Sequence, residues 1–203
     1  MMKLFIALVA VTAMLMPSVA SANLLSNAGF EDATNSPWNV YLSDGNTGVF
    51  TYGDAGTGIG GTKSLKFDFN SYNNWGMGEY NQTVAVSAGT EYTIETWAKT
   101  NAITNAEAFI AYEYVGLGGY TESSKLTGTN DWTKLLLTST APVGATQMQI
   151  KLKNFATTTD PSTGQVYWDN AAINGPIPEP TSMLLLGSGL IGLLGFGRKK
   201  LIK

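Results

Sequence analysis

The sequence predicts an all-β fold, a sandwich or jelly roll, on three observations. Apolar residues recur with period two, turn clusters separate the runs, and no segment sustains a helical stripe over four turns. Leu65, Phe67 and Phe69 alternate with Lys66, Asp68 and Asn70. Tyr80, Gln82, Val84 and Val86 form the next run. Tyr92, Ile94 and Ala98 share one face, and Thr93, Glu95, Trp97 and Lys99 share the other. Ala108 to Val115 is apolar on both parities, with Tyr112 and Tyr114 on one face. Leu135 and Leu137 follow, then Met148, Ile150 and Leu152 alternating with Gln147, Gln149, Lys151 and Lys153. Val166 and Trp168 lie in the last run. Ser87–Thr90, Thr127–Asn130 and Asp160–Gly164 read as turns.

Composition removes whole classes of chemistry. The 203 residues include no Cys and no His. That excludes a disulfide framework, a thiol nucleophile, an imidazole base and zinc held by His and Cys. Residues 23–175 carry 14 acidic against 7 basic side chains, a net charge of −7, so nucleic acid is not the partner.

The two ends carry addresses. Lys3, the apolar run Leu4 to Met16, the break at Pro17 and Ala20-Ser21-Ala22 read as a secretory signal peptide over residues 1–22. The alternative is an uncleaved anchor, for which the run is short. Residues 23–175 then form one domain. At the other end Met183 to Gly197 is uncharged and, with Thr181 and Ser182, makes a 17-residue candidate transmembrane helix over 181–197. The cations after it should remain cytoplasmic, which places the body outside.

Ile177-Pro178-Glu179-Pro180, the Gly/Leu-rich helix and Gly197-Arg198-Lys199-Lys200 together resemble the PEP-CTERM sorting signal over residues 176–203. The matching positions are Pro178, Glu179, Pro180, Arg198, Lys199 and Lys200. The resemblance implies an exosortase-type membrane enzyme as processing partner and transient inner-membrane anchoring. It also implies a Gram-negative bacterium that makes exopolysaccharide. It says nothing of what the body does.

The body carries a second resemblance. Asn27-Ala28-Gly29-Phe30-Glu31 is followed by Pro37-Trp38 and by Gly61-Thr62-Lys63-Ser64-Leu65. Gly89-Thr90-Glu91-Tyr92, Asp131-Trp132 and Val166-Tyr167-Trp168-Asp169-Asn170 follow in order. Together they resemble the carbohydrate-binding modules of xylanases and cellulases, which are galactose-binding-like jelly rolls. The resemblance implies a structural Ca²⁺ held by the side chains of Glu31 and Asp169 and by carbonyls near Gly61 to Lys63. The alternative is that both carboxylates accept backbone hydrogen bonds. It also makes Trp38, Trp132 and Trp168 packing residues.

A sugar ring offers an apolar face and a rim of hydroxyls, so its site pairs flat aromatics with amides and carboxylates. Tyr72 and Trp75, in a loop rich in Asn and Gly, are the first candidates. Trp97, on the polar parity of its strand, is the next, with a second small core as its alternative. Tyr120, beside Gly116, Gly118 and Gly119, would rim a site from a loop. Gly56 to Gly61 contains G-x-G-x-x-G, but no helix follows, so a dinucleotide site is set aside. Glu79, Glu95 and Glu113 could supply a glycosidase pair, yet nothing fixes their separation. The expectation is an exported, non-catalytic surface or extracellular-matrix protein that holds polysaccharide or exopolysaccharide. The alternative is a structural matrix or adhesion protein without sugar recognition.

Overall fold

The structure is a computed structural model that describes residues 21–32, 34, 36–43, 48–55, 57–72 and 75–176, without the side chains of Ala55, Ser71 and Tyr72. The signal-peptide run, the candidate helix over 181–197, and the sorting residues Pro178, Glu179, Pro180, Arg198, Lys199 and Lys200 lie outside the described residues. Ala22–Gly175 forms one compact unit.

Ten strands and no helix are found among the described residues. They are β1 (Ser21–Asn23), β2 (Asn39–Leu42), β3 (Val49–Ala55), β4 (Lys63–Tyr72), β5 (Met77–Ala85), β6 (Glu91–Tyr114), β7 (Gly118–Glu122), β8 (Leu126–Thr140), β9 (Gln147–Ala156) and β10 (Ser162–Pro176). The strand pairs among β2 to β10 are antiparallel, and β1 pairs with β10. The long β6 belongs to two layers. Its second half pairs with β9 and β7, and β9 continues to β5 and β2. Its first half pairs with β8 and β10, and β10 continues to β4 and β3. Ala102 and Asn105 sit at φ 48° and 52° where β6 passes between layers, a left-handed backbone that bends a strand.

Period two explains what lies between the layers. Tyr80, Met148, Ile150, Leu152 and Ile110 face inward from the first layer, and Leu65, Phe67, Ile94, Leu135, Val166 and Trp168 from the second, all buried. Cross-layer contacts join them. Trp168 Nε1 donates to Asn154 Oδ1 (3.0 Å), and the Tyr80 ring lies 5.7 Å from Phe50 and 5.1 Å from Trp38, stacked on the latter. Glycine at Gly78 lets the layers close, because a β-carbon there would stand 2.5 Å from the Phe67 ring. Gly78→Ala is therefore expected to cost about 1–3 kcal/mol, the usual range for overpacking, in urea unfolding.

Two expectations are corrected. Thr127–Asn130 is not a free turn but a bulged stretch of β8, with Gly128 at φ 69° and repeated register shifts against β6. Tyr120 is on strand β7 and not in a loop. The two-sided apolar run Ala108–Val115 also finds its reason: Phe109 and Ala111, on the outward parity, are buried too. Lys125 Nζ lies 4.7 Å, and Lys153 Nζ 5.9 Å, from the Phe109 ring centre.

Candidate functional site

The outer face of the first layer is polar, ordered and bordered by exposed rings. Residues directly opposite in an antiparallel ladder share a face. Tyr41 opposes Glu79, Glu79 opposes Lys153, and Asn81 opposes Lys151. Glu113 opposes Gln149 on the β6 side. The side chains link across these strands. Gln149 Nε2 donates to Thr83 Oγ1 (3.2 Å) and Asn81 Oδ1 (3.1 Å), and Asn81 Nδ2 donates to Glu79 Oε1 (2.9 Å). Glu79, 4% exposed, pairs with Lys151 (3.8 Å) and Lys153 (3.6 Å), and Lys151 pairs with Glu113 (3.0 Å).

Tyr120 closes over this floor. Its ring centre lies 5.0 Å from Lys153 Nζ and 6.0 Å from Lys151 Nζ, a cation–π arrangement. Burial pushes the Tyr120 hydroxyl above the ordinary phenol range, and the charges of Glu122, Glu79 and Glu113 push it further. Burial pushes the Lys153 ammonium below the ordinary lysine range, with Glu79 opposing. Tyr120 therefore stays a protonated donor at neutral pH. At one end Trp75, 58% exposed, sets its ring 6.4 Å from Phe155 of β9. Tyr41 stands 49% exposed beside Glu79. Trp75 and Tyr120 thus come to one layer. Tyr72 ends β4 in the other layer, and its side chain is outside the description.

Trp97 belongs elsewhere. It is half-buried on the outer face of the second layer, opposite Lys134 of β8 and Asp169 of β10. The Lys134–Glu95 ion pair (2.6 Å) joins β8 to Trp97's own strand beside it. The parity expected for Trp97 holds, but this face is not the one that carries Trp75 and Tyr120. The tryptophans also divide by their indole N–H. Trp38 and Trp168 are buried and donate to Ser26 O and Asn154 Oδ1. Trp75, Trp97 and Trp132 have no N–H acceptor among the described residues. Trp132 is half-buried rather than packed away.

A third feature clamps the chain ends of the domain. Glu31 Oε1 accepts from the backbone N–H of Thr62 (2.8 Å) and Lys63 (3.1 Å), and Lys63 Nζ donates to the Glu31 carbonyl (2.6 Å). Asp169, fully buried, accepts from Ile59 N (2.7 Å), Gly60 N (3.3 Å) and Asn170 N (2.6 Å). The glycine-rich segment thus presents its amides to two carboxylates. A β-carbon at Gly61 would overlap the Glu31 carboxylate, and one at Gly60 the Asn170 amide. Amide donation, first from Lys63, holds Glu31 below its ordinary range, and burial raises Asp169 against the pull of its donors. Asn170 Oδ1, Asp169 Oδ1 and the Glu31 Cγ all lie within 4 Å of where a β-carbon at Gly29 would stand, so both acidic side chains border that one residue, and their oxygens are of the hard kind that Ca²⁺ takes. Lys63 enters as an N–H donor here.

Known proteins give this architecture its class. The chain belongs to the carbohydrate-binding domain family CBM_4_9, whose model matches residues 22–166. Residues 176–199 match the PEP-CTERM protein-sorting motif, so this is an exported, cell-surface type of chain. No curated protein matches the sequence. Among solved structures it is similar to a family 61 carbohydrate-binding module in complex with beta-1,4-galactotriose (19% identity, TM-score 0.54, 75% of this chain and 97% of that one). It is also similar to the CBM22-1 xylan-binding domain of Paenibacillus barcinonensis Xyn10C (16% identity, TM-score 0.50, 80% and 99%). A Stig cyclase from Fischerella sp. shares the fold as well (12% identity, TM-score 0.57, 78% and 100%). These likenesses establish a β-sandwich, and the enzyme among them shows that the fold alone does not set function.

Proposed function

We propose that the protein is an exported, non-catalytic carbohydrate-binding protein that holds a polysaccharide chain across the outer face of its first layer. The observation that supports this reading is the set of exposed rings of Tyr41, Trp75 and Tyr120 around the Asn81–Gln149–Glu79–Lys151 floor. The rings match the apolar faces of sugar units, and the floor matches their hydroxyls. Every lysine of this face is paired with a carboxylate, which favours neutral sugars. The glycosidase alternative finds less support. Glu79 and Glu113 both engage Lys151, and Glu95 engages Lys134, so all three carboxylates are occupied within the fold.

Delivery follows from the ends: residues 1–22 as signal peptide, 23–175 as the binding domain, and 176–203 as a tail presented to an exosortase-type enzyme in a Gram-negative cell. The cell's own exopolysaccharide is the natural ligand in that setting. Affinity electrophoresis through gels containing soluble xylan, β-glucan or galactan tests the binding. Retardation in at least one gel is expected, and unchanged mobility in all of them would contradict the reading.

The Glu31–Asp169 clamp is proposed to hold Ca²⁺, which would join β10 to the segment before β4. The chain's own amides already do part of this work, so the cation adds stability rather than creating the fold. A millimolar CaCl₂ addition is expected to raise the melting temperature, and Glu31→Gln to abolish the rise. A melting temperature indifferent to CaCl₂ and chelator would leave the amide clamp as the whole account.

A further inference from the structure

The outer face of the second layer carries a groove that the first-layer site does not use. Its cavity volume is about 640 Å³, within the range of ligand clefts. Trp132 and Tyr167 form aromatic walls, and Lys99, Asn101, Asn130 and Asp131 supply polar groups. Tyr167 opposes Lys99 across the β10–β6 ladder, so both lie on the outward parity. The polar groups are positioned rather than loose. Tyr167 Oη donates to Gln165 Oε1 (2.9 Å), Asn101 Nδ2 donates to the same oxygen (3.2 Å), and Gln165 Nε2 donates to Asp68 Oδ1 (2.8 Å). Asn130 Nδ2 donates to Thr100 Oγ1 (2.9 Å) and Thr127 O (2.7 Å), which fixes the bulged stretch of β8 as one wall.

What remains available in the groove is what a saccharide needs. The Trp132 indole has no ring partner and no N–H acceptor among the described residues. The Asp131 side chain is 91% exposed; its Oδ1 accepts from the Trp132 backbone N–H (2.8 Å) and stands 3.8 Å from Lys99 Nζ, while Oδ2 has no partner among the described residues. An aromatic face, a donor and an acceptor thus border one cavity, with one cation matched to one anion. That balance suits a neutral, hydroxyl-bearing ligand over a charged one.

We infer that this groove is a second saccharide-binding site, and that the protein is bivalent, with one site on each outer face of the sandwich. The inference rests on the carbohydrate-binding reading for its ligand class, but it uses different residues. A module that binds on two opposite faces bridges two glycan chains and does not merely coat one. Linking two sites also raises retention on a polymer without any new contact.

Indole N–H signals of the full chain in detergent, labelled with ¹⁵N-tryptophan, separate the two sites. Each tryptophan gives its own signal, assigned by single Trp→Phe variants. The probes are the hexasaccharides of β-1,4-linked xylose, glucose and galactose. At least one is expected to shift the Trp132 signal in a saturable manner, and to do so still in a Trp75→Ala, Tyr120→Ala background. Tyr167→Ala is expected to weaken that response about ten-fold, the usual loss for one well-seated ring. A Trp75 response with a static Trp132 signal would overturn the second site and leave the first. A Trp132 response with a static Trp75 signal would remove the first-layer site and keep the groove. A Trp132 signal static toward every probe overturns the inference whatever Trp75 does.

Discussion

Replacing Trp75 and Tyr120 together with alanine is expected to weaken glycan binding by the first-layer face about 100-fold, with the fold intact. Ring anchors at a binding surface typically contribute about 2 kcal/mol or more each, and each 1.4 kcal/mol is a factor of ten. The two losses are not fully additive, which sets the estimate below the simple product. The fold should tolerate the change because Trp75 is 58% and Tyr120 42% exposed. Trp75 also sits at φ 56°, so the variant keeps a strained loop conformation whose ring no longer serves a ligand. Isothermal titration calorimetry with the best-retained polysaccharide, beside a thermal melt of both proteins, reads the result. An equal affinity with equal melting temperatures would remove these rings from the site.

The second large effect belongs to the clamp. Asp169→Ala is expected to destabilise the domain by about 3–5 kcal/mol, because it strands three N–H donors, of Ile59, Gly60 and Asn170, in a place built around their acceptor. An unsatisfied buried polar group costs roughly 1–3 kcal/mol, and partial relaxation trims the sum. Against a typical total of about 5–15 kcal/mol this is a large share. The pH dependence carries the sign. Glu31 has its folded pKa lowered, so its stabilisation is present above the unfolded value and is lost as pH falls through the folded one. Asp169 has its folded pKa raised, so its contribution runs the other way and improves on acidification. Asp169→Asn removes only the second effect. It is expected to lose stability more steeply than the parent between about pH 5 and 3, the range of ordinary carboxylates. Urea unfolding at a series of pH values, with chelator present, measures both claims.

How much of this was legible in the residues depends on the distance over which each feature is determined. Alternation is local, so Phe67, Ile94, Met148 and Ile150 could be placed in the core directly, and Trp97 on the opposite face of its strand, while the packing role of Trp168 came from the resemblance. Alternation and turn clusters carried the all-β sandwich, and the resemblance of the body carried its galactose-binding-like jelly-roll type. The polar floor was not legible. Lys151 and Lys153 read only as an outward parity, and Glu79 only as a scattered carboxylate. Their joining depends on β5 lying beside β9 and β9 beside the second half of β6, which is a matter of strand order. Tyr41 was missed because β2 is a four-residue edge strand with every residue exposed, too short for a pattern. Its pairing with β5 was the only signal that could have found it. Trp132 was read as packing from the resemblance, while its half-buried indole and the groove beside it depend on the β8 bulge. The glycines of residues 56–61 read only as a G-x-G-x-x-G string without a following helix. Their reason, close approach of backbone amides to Glu31 and Asp169, needs residues between 31 and 110 positions apart to meet.

Recognition of a neutral polysaccharide by the outer face of the first layer can be measured directly. A glycan array probed with the labelled compact unit Ala22–Gly175, once with CaCl₂ and once with chelator, tests it most directly. Selective binding to neutral β-linked polysaccharides is expected, absent from anionic ones, and weakened but not abolished by chelation. A folded domain that binds no glycan on the array would contradict it and leave a structural matrix protein built on the same sandwich.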